Sequence, residues 1–464
     1  MAEADSMTHH HDFGYGQPLT LAQLDFWEEF TAHPGEAVST VAHALELRGP
    51  LDEAALARAI RQTIAETDVL SLRFALGPDG APHQLADPSR RPELRLIDLS
   101  QHPDARDRAM ALMRADVGAP LDLLHQPLAA QWLIRLGPEH AIWYHRGHHI
   151  VLDGYAMGLI ERRCAEAYAE ARADRTPSLS SCPPLGRFNA YLLEEAAYRA
   201  GPRHAADALH WAEVLSAAPA PTVLAKGSED YPISALRHAC PLDALRPALL
   251  ARAAETGIGW PDLLTLLCSA WAVLNLQDRS AARQRDDEGR ISMPIWLPYM
   301  SRMGSVAIRV PALVVNILPF DASLSASETL GPVLARLAGR LRKLRRHGRY
   351  RIEQIGADRG LTSRERFFFS PLINVLPFDA AAFDGLRMQR HVLSNGPGDG
   401  FNITIRADSQ AQGLELCVEA DPSLTPAADF ARHAATLPAF LAEALAPDAA
   451  TRPVGALGAM PVPA

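Results

Sequence analysis

Lysine is almost absent from this sequence of 464 residues: Lys226 and Lys343 occur, and arginine supplies nearly all of the positive charge. Acidic residues outnumber basic ones, and the formal net charge is -9. This balance argues against a nucleic-acid-binding protein, which needs a basic surface. Residues 338–351 (AGRLRKLRRHGRYR) concentrate positive charge. We expect a solvated helix face there, with a dock for an acidic partner or a phosphate as the alternative.

Several other features are missing. The five cysteines are widely spaced and form no C-x-x-C pair, which argues against a zinc site or a disulfide framework and predicts reduced thiols in the cytoplasm. No apolar run approaches the roughly 18 residues of a membrane span, so we expect no membrane association. The motifs G-x-S-x-G, P-loop and G-x-G-x-x-G do not occur, and the glycine-rich segment 396–400 precedes a strand, which argues against a phosphate cradle.

The length exceeds what one hydrophobic core normally supports, so more than one domain is expected. Patterns typical of strands and helices recur on both sides of a segment rich in proline and serine, residues 175–186. The sequence therefore predicts a mixed α/β (α+β) protein with two lobes and a cleft between them. We expect the lobes at 17–176 and 177–450, flanked by mobile tails at 1–16 and 451–464.

The segment His148 to Gly154 (HHIVLDG) concentrates groups capable of chemistry. The apolar run at 141–144 predicts a strand before it, and the composition of 154–172 predicts a helix after it. Neighbouring side chains on an extended strand point to opposite faces. We therefore expect one histidine to be buried and the other to face a substrate, with two buried core histidines as the alternative. A metal site is disfavoured because the segment offers no convergent ligands.

The last two residues of this segment stand at the expected helix start. Asp153 suits a helix N-cap, and a buried carboxylate there also suits pairing with an arginine. Gly154 carries no side chain, so its backbone N–H lies close to whatever enters the cleft. The segment therefore predicts a site made of side chains and backbone together.

These residues match the HHxxxDG signature of condensation domains of nonribosomal peptide synthetases, a family that the sequence resembles over about residues 17–450. Six further segments occur in the family's order: LTLAQLDFW (19–27), ETDVLSLRF (66–74), YMSRMG (299–304), VVNILP (314–319), RHGRY (346–350) and SPLINV (370–375). The last is most similar to starter-type domains that accept aryl acids in catecholate siderophore pathways. Thr67-Asp68 replaces the usual His-Glu, and Gly398-Asp399-Gly400 is unusual; both departures suggest an atypical substrate.

The resemblance implies two chloramphenicol-acetyltransferase-like lobes in a V around a substrate tunnel. It also implies an acyltransferase whose substrates arrive on the 4′-phosphopantetheine of carrier proteins, with an acceptor that is carrier-bound or a small molecule. An amine or hydroxyl of the acceptor attacks the donor thioester and forms an amide or ester. We expect a cytoplasmic monomer that itself binds no cofactor and no metal. Because the sequence shows no adenylation or carrier domain, a free-standing enzyme and an excised domain both remain open.

By position in the motif, the resemblance gives catalytic roles to His149 and Gly154. His149 guides the proton of the attacking amine, either as a base or as an orienting acceptor. The N–H of Gly154 is the candidate that stabilises the tetrahedral oxyanion. Two other functions are carried as alternatives: an epimerase of a carrier-bound aminoacyl group, and a non-catalytic recruitment module. The intact motif argues against the second, because a docking surface does not need it.

Four further residues are expected at the site in supporting roles. The resemblance implies that His148 is framework and that Asp153 pairs with Arg302 to brace the turn against the other lobe. Asn374 is expected to bind substrate on the acceptor side.

Overall fold

The computed structural model describes residues 16–33, 35–173, 184–217, 221–227, 235–276, 289–396 and 398–458. The predicted N-terminal tail, apart from Gly16, and residues 175–183 of the predicted linker lie outside the described residues. The helices are α1 (Leu21–Ala32), α2 (Glu53–Glu66), α3 (Ala105–Val117), α4 (Gly154–Arg172), α5 (Phe188–Ala200), α6 (Pro202–Ala217), α7 (Arg246–Thr256), α8 (Trp260–Asn275), α9 (Leu330–Arg346), α10 (Ile352–Asp358) and α11 (Ala427–Ala444).

The strands are distributed over both halves of the chain among the helices. They are β1 (Gln17–Pro18), β2 (Thr40–Arg48), β3 (Leu72–Leu76), β4 (Pro82–Ala86), β5 (Leu94–Asp98), β6 (Ala129–Gly137), β7 (His140–His148), β8 (Val223–Ala225), β9 (Leu236–Pro241), β10 (Ile291–Tyr299), β11 (Asn316–Leu324), β12 (Glu365–Phe367), β13 (Leu372–Pro377), β14 (Arg387–Asn395), β15 (Phe401–Ala407) and β16 (Glu415–Ala420).

Two large sheets organise the molecule. The first has the strand order β14-β2-β7-β6-β5, and the second has the order β11-β10-β13-β15-β16-β9. Each sheet is mixed: β5 runs parallel to β6 in the first, and β13 runs parallel to both β10 and β15 in the second. The predicted α/β character of the protein is therefore confirmed.

The first sheet is covered on both faces, so its central strands β2 and β7 are almost entirely buried, including their polar residues. Helices α2 and α4 pack together on one face, where Leu45 and Trp143 are fully buried. Helix α3 covers the other face. This burial fixes β7 in the middle of the sheet and so fixes the position of its last residue, His148.

The second sheet packs against α8, α9 and α11. Helix α8 is apolar around nearly its whole circumference, and its residues from Leu263 to Val273 are all buried. A helix of this kind belongs inside a core rather than at a surface. No single helix in the described part of the chain is long and apolar enough to cross a membrane; the segments 243–256 and 260–275 reach that only as a pair bent by 98°.

Strand β14 corrects the expected division at residue 176. It belongs to the second half of the sequence, yet it pairs antiparallel with β2 of the first sheet, with Arg387 opposite Arg48 and Asn395 opposite Val41. The backbone groups along that edge of β2 need hydrogen-bond partners, and β14 supplies them. The first lobe therefore contains a strand from the segment assigned to the second.

The expected mobile tail at 451–464 is corrected as far as the structure describes it. Residues 449–451 and 454–456 form short 3-10 helices, and Val454 and Leu457 are buried. The N–H of Val454 donates to the carbonyl of Glu328 at 2.8 Å. Two apolar side chains spaced three residues apart anchor this segment, although its composition is typical of a loop. Residues 459–464 lie outside the described residues.

Candidate active site

The HHxxxDG segment lies where β7 gives way to α4. Backbone pairing continues past the strand, because the N–H of His148 donates to Leu128 at 2.9 Å and that of His149 donates to Ser39 at 2.7 Å. Ile150 to Leu152 are then buried in the first core. These apolar residues anchor the turn from below, so the polar residues on either side of them are held in fixed positions.

Asp153 caps α4 and binds across to the second half of the chain. Its Oδ1 accepts the N–H of Ala156 at 2.8 Å, which is the geometry of a helix N-cap. The guanidinium of Arg302 donates from Nη2 to both carboxylate oxygens, at 3.0 and 2.9 Å. The expected Asp153–Arg302 pair is therefore present, and both of its side chains are buried.

Two backbone amides complete the shell of this carboxylate. The N–H groups of Val314 and Val315 donate to Oδ2 of Asp153, each at 2.9 Å. Burial alone raises the pKa of Asp153, but the Arg302 charge and these backbone donors outweigh burial and hold the pKa below its ordinary value. The carboxylate is therefore charged and fully hydrogen-bonded at the junction of the two halves.

The two terminal nitrogens of Arg302 are also well bound. Its Nη1 donates to the carbonyls of Ala307 and Val310, and its Nη2 donates to that of Ala312, all at 2.6 Å. Its Nε is buried without a partner among the described residues, and the guanidinium lies 4.8 Å from the ring centroid of Tyr155. The bonds of the two terminal nitrogens hold the loop around Arg302 in one conformation, and Asp153 ties that loop to the start of α4.

His148 is turned into the framework. It is buried, and its Nδ1 accepts the N–H of Ile150 at 3.0 Å. Burial, together with the neighbouring His149, lowers the pKa of His148 to about 3. The ring is therefore neutral at physiological pH, with Nδ1 already engaged by the backbone.

His149 has a different environment. Its side chain is half-buried and stacks on Phe26, with ring centroids 4.7 Å apart and an interplanar angle of 13°. Its Nδ1 is buried and has no hydrogen-bond partner among the described residues. Burial lowers the pKa of His149, while the charge of Asp153 acts in the opposite direction. The imidazole is therefore neutral, and its Nδ1 forms no hydrogen bond with the other described residues.

Gly154 and Asn374 differ in their relation to this cluster. Gly154 is the exposed first residue of α4, and a Cβ placed on it meets no atom within 4 Å. The Cβ side of Gly154 is therefore open. Asn374 lies half-buried on β13, and within the described residues it forms none of the hydrogen bonds that join the other predicted site residues. The structure thus brings five of the six predicted residues together through β7, α4 and the Arg302 loop.

Sequence reasoning missed two neighbours of His149. Phe26 belongs to the family segment 19–27, but a contact spanning 123 positions of sequence, from 26 to 149, leaves no local signal. Gly396 did give a signal, since it opens the glycine-rich segment that follows β14. Its φ is +84°, and a Cβ on it would lie 2.7 Å from Cδ2 of His149.

A second polar cluster lies beneath α4 and was also missed. Glu161 of α4 accepts a hydrogen bond from Nδ1 of His43 at 2.6 Å and from Nε2 of His145 at 3.2 Å, and its other oxygen binds Arg390 of β14. His43 and His145 are direct cross-strand partners on β2 and β7. Two histidines within apolar strands were the available signal.

Glu161, His43 and His145 have the composition of a metal site, and their ligand atoms lie within 4.8 Å of one another. Atoms bound to a tetrahedral metal at about 2.0–2.1 Å lie about 3.3 Å apart. The 2.6 Å separation of His43 Nδ1 and Glu161 Oε1 is that of a hydrogen bond. Arg390 also places a positive charge on the same carboxylate. The contacts therefore describe a hydrogen-bonded charge cluster.

Comparison with known proteins decides the family. The profile described as "Condensation domain" matches residues 16–444. The chain belongs to the condensation domain family. It is accordingly an amide-forming acyltransferase of nonribosomal peptide synthesis.

Solved condensation domains share the fold. The crystal structure of VibH, a condensation enzyme of nonribosomal peptide synthesis, is 34% identical with a TM-score of 0.82, covering 94% of this chain and 100% of that one. The first condensation domain of the calcium-dependent antibiotic synthetase is 28% identical with a TM-score of 0.77, covering 95% and 98%. The predicted two-lobed condensation-domain fold is thus confirmed.

Curated relatives are larger proteins. The isonitrile lipopeptide synthase of Streptomyces coeruleorubidus is 31% identical over 450 residues, which are 96% of this chain and 30% of that protein. Enterobactin synthase component F of Escherichia coli O157:H7 is 29% identical over 440 residues, 92% of this chain and 32% of that protein. This condensation domain spans about a third of the length of these two relatives.

Proposed function

We propose that this condensation domain transfers an acyl group from the pantetheine thioester of a carrier protein to an amine, and that His149 is the catalytic side chain. The supporting observation is the contrast between the two adjacent histidines. Nδ1 of His148 is occupied by a backbone N–H, whereas Nδ1 of His149 has no partner among the described residues. A neutral, unoccupied imidazole is the form that accepts a proton or a hydrogen bond from an amine.

The start of α4 supplies the second catalytic element. Gly154 places its N–H at the N-terminus of a helix of 19 residues, where the helix dipole favours negative charge. The open space beside Gly154 leaves room for a thioester carbonyl oxygen. As that oxygen becomes an oxyanion in the tetrahedral intermediate, a fixed N–H donor stabilises it more than it stabilises the ground state.

The reaction then needs few further groups. The amine nitrogen attacks the thioester carbon, and its proton passes to His149, which returns it to the departing sulfur. The carbon–sulfur bond breaks, an amide bond forms, and the free pantetheine thiol leaves with its carrier. Most of the acceleration comes from holding the two reactants together. The buried Asp153–Arg302 pair serves this purpose by fixing the turn that carries both catalytic groups.

The donor is proposed to be an aryl or other acyl group on an acyl or peptidyl carrier protein, in a siderophore-type pathway. The similarity to enterobactin synthase component F and the starter-like segment 370–375 support this class. Asn374, within that segment, is proposed to line the acceptor side. His148 is proposed to be a framework residue, because its contacts are internal.

The test is an intact-mass assay with acyl-loaded carrier proteins and a panel of carrier-bound and soluble amine and alcohol acceptors. Amide formation is expected with the native sequence and loss of it with His149→Ala. His125→Ala is the matched control, because His125 is exposed and, within the described part of the chain, its ring pairs only with Asp122 on its own loop. Unchanged product formation by His149→Ala overturns the catalytic assignment. Deuterium exchange at the α-carbon of a single carrier-bound aminoacyl group in heavy water indicates the epimerase alternative.

A further inference from the structure

Two groups from outside the HHxxxDG segment lie against the imidazole of His149. Phe26 covers one region of the ring, stacked at 4.7 Å between centroids. The backbone of Gly396 lies so close to the ring edge that a Cβ would approach Cδ2 to 2.7 Å and Nε2 to 3.6 Å. The three residues are far apart in the sequence, and their meeting point is the catalytic side chain proposed above.

Phe26 is held by a firmly anchored helix. The capping box of α1 joins Thr20 and Gln23, and the Gln23 side chain donates to that of Gln84 at 2.8 Å. The next residue, Trp27, is buried in the first core. These contacts leave Phe26 little freedom to move away from the imidazole.

A contact from beyond the predicted lobe division at residue 176 holds the same turn of α1. The ammonium of Lys226 donates to Asp25 at 2.7 Å and also binds Glu28. Asp25 directly precedes Phe26. The stacking ring is thus fixed by residues on both sides of that division.

Gly396 is held by β14, the strand from the second half of the sequence that pairs with β2. Asn395 pairs with Val41 at the end of β14, and the Ser394 hydroxyl donates to the carbonyl of Thr40 at 2.5 Å. The N–H of Gly396 then donates to the same hydroxyl at 3.3 Å. The positive φ of Gly396, +84°, turns the chain towards His149, a conformation that glycine adopts without strain.

We propose that Phe26 and Gly396 are positioning residues that clamp the His149 imidazole in one orientation for the reaction. This inference rests on the proposed catalytic role of His149. With a ring stacked on one face and backbone beside the Cδ2 edge, rotation of the imidazole about its Cβ–Cγ bond is restricted. Fixing it before substrate arrives removes an ordering cost from the transition state. Because Gly396 follows β14, the orientation of a first-half histidine depends on a strand from the second half.

The first test is Gly396→Ala, with Gly360→Ala as the control. Both glycines have φ +84°, so both alanines carry the same backbone strain, but a Cβ on Gly360 meets nothing within 4 Å. Gly396→Ala is expected to lower kcat about 100-fold with little change in KM, because the new methyl displaces the imidazole. Gly360→Ala is expected to keep the native kcat. Equal kcat values for the two variants overturn the proposal.

The second test keeps the backbone intact. Phe26→Leu removes the stacked ring, and Phe26→Tyr restores one. Phe30→Leu is the control, because Phe30 is also half-buried and lies one turn further along the same helix. In Phe26→Leu the imidazole loses its stacking partner and is expected to reorient slightly, so we expect kcat to fall about 10-fold. We expect kcat to recover in Phe26→Tyr. Phe30→Leu is expected to leave kcat unchanged.

The pH profile separates positioning from general damage. Burial, which lowers the pKa of His149, is partly lost when Phe26 is shortened, while Asp153 and His148 remain as its charged and titratable neighbours. The acidic limb of kcat is therefore expected to move to higher pH in Phe26→Leu. A native limb and native kcat in this variant contradict the clamp. If His149→Ala keeps its activity, the proposed function is wrong. If His149→Ala is inactive but Gly396→Ala and Phe26→Leu have native kcat, only the proposed positioning role of Phe26 and Gly396 is wrong.

Discussion

Glu161 and Arg390 form an ion pair that joins α4 to the crossing strand β14. Glu161 is fully buried, and His43 and His145 donate to its other oxygen. Helix α4 begins at Gly154, and β14 ends one residue before Gly396. This cluster therefore connects the helix that follows the HHxxxDG segment with the strand that leads to Gly396.

Replacing Arg390 tests this connection. In Arg390→Met the Glu161 carboxylate loses its charged partner while remaining buried. We expect the free energy of unfolding to fall by about 2 kcal/mol, less than for a fully buried pair because Arg390 is 23% exposed. Urea unfolding measures the loss, and faster amide exchange along β14 locates it. The control Arg387→Met, exposed on the same strand, is expected to show neither effect.

Asp153→Asn tests the buried pair at the active site. The amide retains a helix-capping oxygen but leaves Arg302 buried without its counter-charge. A loss of about 3 kcal/mol in the free energy of unfolding is expected. Asp104→Asn is the matched control: Asp104 also precedes a helix and pairs with an arginine at 2.7 Å, but that pair is exposed. A similar small change in both variants contradicts a structural role for the Asp153–Arg302 pair.

Gly154→Ala separates the chemistry from the fold. A Cβ there meets nothing within 4 Å, and alanine is a good helix former, so stability is expected to be maintained. The methyl group nevertheless stands beside the N–H proposed to bind the oxyanion, so kcat is expected to fall about 10-fold or more. Gly339→Ala, in α9 and equally unobstructed, is the control for stability and activity. Native kcat in Gly154→Ala removes this glycine from the proposed mechanism.

Glu46 predicts how stability depends on acid. Burial alone raises its pKa, but hydrogen bonds from His391, Arg48 and His140 outweigh burial and lower the pKa to about 2. Because the pKa of Glu46 is lower in the folded state than the unfolded value of about 4.3, its carboxylate stabilises the fold at pH values above about 4.3. This stabilisation is lost as the pH falls towards 2. The free energy of unfolding is expected to decline over that range in the native protein and to decline less steeply in Glu46→Gln. Identical slopes contradict this role.

Local features of the sequence predicted the elements well. The predicted bounds of 154–172 for α4 agree with the structure, and the apolar run 141–144 lies within β7 as expected. Both depend on patterns within the segment, namely a helix-favouring composition after an N-cap and a continuous apolar strand. The Asp153–Arg302 pair came instead from the family resemblance, since 149 positions separate the two residues.

Features determined by distant partners were not predictable in this way. The apolar residues of 312–320 are typical of a strand, but β11 begins only at Asn316. The amides of Val314 and Val315 donate to Asp153 rather than to a neighbouring strand, so the ladder starts later. The same reason applies to the pairing of β14 with β2 and to the contact of Phe26 with His149. Each contact depends on the tertiary structure, and the local sequence of either segment does not indicate its partner.

Strand β14 also bears on biosynthesis. A ribosome translates β2, β7 and the HHxxxDG segment long before residues 387–395, so the growing chain carries β2 with one edge uncovered until those residues emerge. Such an edge is a template for pairing with other chains. At about 5–20 residues per second, the more than 200 intervening residues keep it open for about 10 seconds or more. Completion of the first sheet, and with it the enclosure of His149, is thus a late event in translation.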